Sequence, residues 1–479
     1  MSQALRICFS GNDGASWRDE SLPVLSRLAN WAAGLDASAL DDEVVHAATR
    51  GIVDTAGVAL AGARTSTCQN VRRVVESETQ SGGATMLAGG VSRKASGAAL
   101  ANGTAAHLLD FDDTHFDGIV HASCVVFPAV LACAEENGAT TADVLAAFVA
   151  GSEVTYALGR ALPDIFWQGW WTTATLGSIG AAAGAARAMR MDAAATAHAL
   201  AIAASFTFGM RTILGNDANP LGAGIAAQAG VRAALLAREG VQGALNTVEH
   251  PVGLAAVFNN KRLDASRISE LGRHYALVSP GLAFKLFPAC SGAQAASQAM
   301  SELVASEGLR GDRIARVVCR VAPLVAENLR YPDPANLTQA QFSLPFAIGC
   351  QIAAGRFGVA QLTDEFLHSP ALRAAMAKVE MQRAEDLAPP AQKHLYPEAA
   401  EVTCVLSDGR RVMRTVLAAR GMPSDPQSDD DLRAKFMECA TSLLPQQAVD
   451  QIYDQLQTLK SLRPATDVFR ALREQGNLS

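Results

Sequence analysis

Lysine is scarce in this chain of 479 residues: seven occur, at positions 94, 261, 285, 378, 393, 435 and 460, so arginine supplies most of the positive charge. An excess of positive charge is lacking altogether, with 40 Lys and Arg against 47 Asp and Glu. That balance gives no general attraction to phosphate backbones, and nucleic acid is not an expected partner. Paired cysteines are also missing. The nine cysteines stand singly and none forms CxxC, which excludes a zinc ribbon, an iron–sulfur run and a thioredoxin-type motif. An odd count in a large chain fits the reduced thiols of a cytoplasm, the expected location. The N-terminus has no apolar leader, since Ile7, Cys8 and Phe9 are too few. No run of large apolar residues is long enough to span a bilayer. The longest uncharged stretch, 165–186, is mostly Gly, Ala, Thr and Ser, and reads as buried helix rather than membrane span.

What is present is a large apolar fraction, 49% of residues against 18% charged, enough for a substantial core. Up to about residue 280 the chain reads as successive helices. Val45, Ala48, Ile52 and Ala56 recur at helical spacing between a capping Asp41 and Gly62. Thr141 is placed to cap a helix through Val144, Leu145 and Phe148 to about Gly159, and 193–208 and 221–238 are alanine-rich candidates. The small residues predict closely approaching helix axes. Residues 1–22 form a polar extension without periodicity.

The pattern changes at Ser279-Pro280-Gly281. Ala315, Val317, Cys319 and Val321 then alternate with Arg316 and Arg320, the period of a half-buried strand. Two more alternating runs flank Ser407-Asp408-Gly409, a hairpin signal. Helical runs recur at 291–306 and 342–354. Ser428 and Asp431 form a capping box before a final helical stretch, with a loop at 423–426 leading into it. The fold class expected is mainly α with a smaller α+β domain: a helical domain from 24–279 and 425–479, and an α+β domain over 280–424.

The densest polar cluster is Asp110-Phe111-Asp112-Asp113-Thr114-His115-Phe116-Asp117, with His121 beyond it. Carboxylates and imidazoles beside apolar helices acquire shifted pKa values and can move protons. The same spacing allows a solvated loop or a metal site. A prenyl-diphosphate motif fits poorly, because Phe116 stands where DDxxD needs Asp. Lys285, hemmed by Phe284, Leu286 and Phe287, is either partly desolvated and reactive or a snorkelling surface residue. Trp170 and Trp171 read as core. Arg211 and Arg330 are possible anion anchors.

The run Asn102-Gly-Thr-Ala-Ala-His-Leu-Leu-Asp-Phe-Asp-Asp-Thr-His115 resembles the signature of the MmgE/PrpD family, which includes 2-methylcitrate dehydratase, cis-aconitate decarboxylase and iminodisuccinate epimerase. Gly169-Trp-Trp-Thr-Thr-Ala-Thr-Leu-Gly177, Pro220-Leu221, Phe284-Lys-Leu-Phe-Pro-Ala-Cys290, Gln341-Phe-Ser-Leu-Pro-Phe346 and Asp408-Gly-Arg410 agree in order and spacing. The resemblance implies a helical domain under an α/β lid, a homodimer, a small carboxylate substrate, and no metal or organic cofactor. It carries four polar site positions to Asp110, Thr114, His121 and Lys285. It implies proton abstraction by His121 or Lys285, with Asp110 orienting His121 and Thr114 binding a carboxylate. Trp171 and Gly222 stand where relatives usually place histidine, Asn219 where they place lysine, and Phe346 where they place tyrosine. With Arg211, the residues Trp171, Asn219 and Phe346 are the expected substrate contacts. The function expected is a cofactor-independent lyase or isomerase (dehydratase, decarboxylase or epimerase) with a less anionic substrate; the alternative is an inactive member with a binding or structural role.

Overall fold

A computed structural model describes residues 18–474 except 90 and 442. Residues 1–17, most of the polar N-terminal extension, lie outside the described residues. The chain is mainly helical with a smaller α/β part.

The helix anticipated from Asp41 runs Asp42–Gly62, although the Asp41 side chain caps nothing. The next anticipated helix runs Thr141–Ala161, and its cap lies one residue earlier than expected. Thr140 accepts from the Asp143 backbone while Asp143 reaches back to Thr140. Both ends of that box are satisfied, which explains the shift. Helices Ser123–Glu136 and Thr141–Ala161 are buried along almost their whole length.

Around them pack Ala95–His107, Gly177–Ala188 and Ala218–Arg238. A Cβ on Gly103 would lie 2.9 Å from the Gly224 Cα, so the two helices meet backbone to backbone. This is the close approach the small residues predicted. Among the described residues Ala218–Arg238 alone is long and apolar enough to cross a membrane, and much of it is covered by this bundle.

The later region holds a four-stranded sheet in the order Val379–Arg383, Ile314–Val321, Ala400–Leu406, Arg411–Val416. The first pair is parallel and the others antiparallel. The hairpin turns at Gly409, whose φ of 86° suits glycine. Helices Gln294–Glu307 and Leu344–Ala354 cover one face. The opposite face carries Arg316–Glu380 and Arg320–Glu401 pairs. Val317, Cys319 and Val321 are buried as alternation requires, but Ala315 is exposed and Ile314 is buried in its place, because the register with Ala400–Leu406 shifts between Ile314 and Arg316.

The chain then returns to the helices. Asp429–Ala440, capped by Ser428 and Asp431, lies on Asp42–Gly62. Gly57 leaves room for the Phe436 ring, and Lys435 reaches Asp54 at 2.6 Å. Phe469 packs on Phe127 with ring centroids 5.8 Å apart.

Candidate active site

The loop joining helices Ala95–His107 and Ser123–Glu136 carries the polar cluster. Buried carboxylates and imidazoles need fixed partners, and this loop is held at several points. Thr114 and Ala283 exchange two backbone hydrogen bonds of 2.9 Å, and His115 and Val120 exchange bonds of 2.9 and 3.1 Å. The His121 backbone N–H donates to Thr173 Oγ1 at 3.0 Å. Asp110 and Ile119 have φ of 45° and 46°, a region costly for residues with a Cβ, most of all a β-branched one. Such strain persists where surrounding contacts enforce it, commonly at functional sites.

Asp112, fully buried, stands between two imidazoles. Its carboxylate accepts from His107 Nδ1 at 2.9 and 3.0 Å and lies 3.5 Å from His121 Nδ1. The rings of His107 and His121 are 4.9 Å apart. Their environments differ. Burial alone would lower His107, but the Asp112 carboxylate overrides it and raises the imidazole above its usual value. His107 also ends its helix, where the macrodipole favours a cation. Burial and the nearby Lys285 charge push His121 down to about 4. Burial would raise Asp112, yet both imidazoles hold it well below the usual carboxylate range.

The His121 tautomer follows from its partners. Nδ1 lies 2.7 Å from the Asp113 carbonyl oxygen, which can only accept. Nδ1 therefore bears the hydrogen, and Nε2 keeps its lone pair. Thr114 Oγ1 is 3.3 Å from the same Nδ1.

His107, Asp110, Thr114 and His121 all line one cavity of ≈ 640 Å³. Trp171 and Asn219 line it too. Lys285 does not: its ammonium is bound by the Asp110 carboxylate and, at 2.8 Å, by the Asp110 carbonyl. Burial would lower Lys285, but the Asp110 and Asp112 charges hold it above its ordinary value, so it stays protonated. Lys285 is thus a buried counter-ion of Asp110 rather than a snorkelling residue, and Asp112 rather than Asp110 is the carboxylate beside His121.

Phe346 is fully buried away from the cavity, its ring edge-on to Phe357 at 5.7 Å. Arg211 lies behind the wall. It stacks on Phe166 at 4.0 Å and donates to Asn328 Oδ1 at 3.1 Å, and both of those residues line the cavity. Arg330 is spent on backbone carbonyls, including Leu214 at 2.9 Å. The two tryptophans divide: Trp170 packs on Phe258, whereas Trp171 forms cavity wall beside His107 with centroids 5.3 Å apart.

Sequence reasoning noted Asp112 only as part of the polar cluster and assigned no role to it or to His107. A histidine closing a helix five residues before an aspartate was the available signal. It also passed over Glu398, which lines the cavity, accepts from Ser291 Oγ at 2.5 Å, and is pushed up to about 7 by burial. His107, Asp112 and Cys124 place donor atoms within 4.8 Å of one another, the one such group among the described residues. The His107–Asp112 hydrogen bonds already satisfy this group as a proton pair.

Trp171 and Gly222 are coupled by space. A Cβ on Gly222 would lie 2.9 Å from Trp171 Cζ3, inside van der Waals contact. Gly222→Ala is expected to cost about 1–3 kcal/mol by overpacking. In a Trp171→Phe background most of that cost should vanish, a coupling of roughly 0.5–3 kcal/mol. Urea unfolding of the four proteins measures it, and additive costs would show that the indole does not occupy this space.

Lys285→Met strands the buried Asp110 charge. A loss of about 3–5 kcal/mol of stability is expected, and Asp110→Asn in the same chain should restore much of it. An unchanged urea midpoint for Lys285→Met would contradict the ion pair.

Comparison with known proteins gives matches along most of the chain. The MmgE/PrpD N-terminal domain matches residues 26–265 and the MmgE/PrpD C-terminal domain matches 287–459. A cis-aconitate decarboxylase of Mus musculus is 26% identical, covering 94% of this chain and 93% of its own length. The Homo sapiens cis-aconitate decarboxylase is 27% identical over 92% of each chain. A cis-aconitate decarboxylase-like protein of Aspergillus oryzae is 23% identical, over 94% and 96%.

Proposed function

Because the chain belongs to the MmgE/PrpD family, we propose that it is a lyase or isomerase of small carboxylic acids working through a carbanion next to a carboxylate or carbonyl. The observation that carries this reading is the pair of imidazoles across Asp112, displaced in opposite directions. Titratable neighbours pushed apart divide the roles of base and acid.

His121 Nε2 is the base, neutral at pH 7 and unpaired among the described residues. The His107 imidazolium is the acid, offering Nε2–H to the oxygen where enolate-like charge develops. Asp112 holds both rings. Thr114 and the Lys285-fixed Asp110 complete the polar floor. The carbanion forms by loss of a proton or of carbon dioxide. It ends by expelling a β-hydroxyl or by reprotonation, which gives dehydration, decarboxylation or epimerisation. The relatives' names favour the lyase outcomes.

Residues 280–424 serve as the lid in this reading, since Cys290, Asn328, Phe342 and Glu398 line the cavity along with the histidines. The family also suggests a homodimer; light scattering giving the mass of a single chain at micromolar concentration would contradict that. The functional test is a panel of mono-, di- and tricarboxylates in deuterated buffer. Deuterium entering beside a carboxylate, or carbon dioxide release, is expected for at least one acid. Neither with any acid would sink the proposal and leave a binding role.

A further inference from the structure

The cavity is poor in cations. Among the described residues no arginine lines it, and apart from His107, the imidazolium of the proposed mechanism, its cation is Lys393 at the rim, with a side chain 45% exposed and 3.9 Å from Glu385. Of the lysines nearby, Lys285 is consumed by Asp110 and Lys435 by Asp54. Three carboxyl groups, Asp110, Asp117 and Glu398, line the same space. A tricarboxylate would bring three more negative charges into it, and buried charges without partners are costly.

Much of the remaining wall is apolar and aromatic, with Trp171, Phe166, Phe116, Phe342, Leu214 and Leu324. Trp171 is the fixed part of that wall. Gly222 at its back leaves room for the indole and for nothing else, so the indole face is held beside His107. Rigid aromatic faces of this kind bind rings and branched hydrocarbons.

Two neutral amides supply polar contacts. Asn219 is 3% exposed, and its Oδ1 has no hydrogen-bond partner. A buried acceptor left alone calls for a donor from the ligand, such as a hydroxyl. Asn328 has its Oδ1 occupied by Arg211, which leaves its NH₂ as the group to donate to a carboxylate.

We propose that this cavity takes an acid with a single carboxylate, a hydroxyl beside it and an apolar body the size of a ring, with Trp171 seated on Gly222 as the specificity wall. This rests on the functional reading for the location of the site, but binding can be measured apart from catalysis.

Titration calorimetry on the full chain with phenyllactate, lactate and cis-aconitate tests it. Phenyllactate should bind about tenfold or more tighter than either other acid. Trp171→Ala should erase most of that margin, and Trp171→Phe, which keeps an aromatic face, should retain most of it. Circular dichroism shows whether each variant is folded, and the wild-type ranking stands whatever the variants do. Lactate matching phenyllactate would overturn the apolar body, and cis-aconitate binding as tightly or more tightly would overturn the single carboxylate. No binding of phenyllactate at millimolar concentration would overturn both. If His121→Gln binds phenyllactate normally while no acid exchanges deuterium in the wild type, the catalytic reading fails and the binding proposal survives.

Discussion

Replacing His121 by glutamine should lower deuterium exchange or turnover by about 10³-fold, within the range that a positioned general base contributes. Glutamine keeps a polar side chain that can hydrogen-bond near the Asp113 carbonyl but has no basic lone pair. The His121 imidazole stands at about 4, so it is already neutral at pH 7 and needs no deprotonation before it acts. Activity that depends on it is lost as pH falls through that value and is present above it. His107 has the opposite sign. Its pKa is raised, so the imidazolium is lost as pH rises through the raised value. The wild-type profile should therefore plateau between about 4 and a limit above the ordinary histidine range, and His121→Gln should lose the acid limb together with the rate. Near wild-type exchange in a folded His121→Gln protein would remove this residue from the chemistry.

Asp112→Asn should cost about 10²-fold at neutral pH, by a different route. The amide keeps the shape but removes the charge. Burial then governs both imidazoles, because the Asp112 carboxylate is what raises His107 and what partly supports His121 against desolvation. Both pKa values should fall, so both limbs of the profile should move to lower pH. Part of the lost rate should return below neutrality, where His107 is again protonated. A purely structural role for Asp112 would lower the rate equally at every pH. A drop without movement of the profile therefore counts against a carboxylate shared by the two rings.

The elements legible in the sequence were those with local signals. Helical spacing located Asp42–Gly62, the capping box located Asp429–Ala440, and Asp408-Gly409 located the hairpin. Strand Val379–Arg383 left no such mark. Val-Glu-Met-Gln-Arg alternates over only four residues, too short a run to stand out, and none of its residues is fully buried beside its parallel neighbour. In the site, residue types and neighbourhood were readable, since Asp110, Thr114, His121 and Lys285 do gather. Which aspartate faces which histidine was not. Asp110, Asp112 and Asp113 lie within four residues, and the positive φ at Asp110 turns its carboxylate to Lys285 and Asp112 to the imidazoles. The Trp171–Gly222 fit depends on two elements fifty residues apart, and Phe346 reached the core rather than the cavity through packing with Phe357. Such contacts exist only in the folded chain.

The most direct test of the divided imidazoles is nitrogen-15 NMR of the histidine-labelled wild-type protein between pH 4 and 9, assigned with His107→Gln and His121→Gln. His121 should appear neutral at pH 7 with its hydrogen on Nδ1 and titrate near 4. His107 should titrate above the ordinary value of 6.5, so that it stays doubly protonated to higher pH than a free imidazole. Two histidines titrating together near that ordinary value, or a His121 with its hydrogen on Nε2, would contradict the assignment of base and acid.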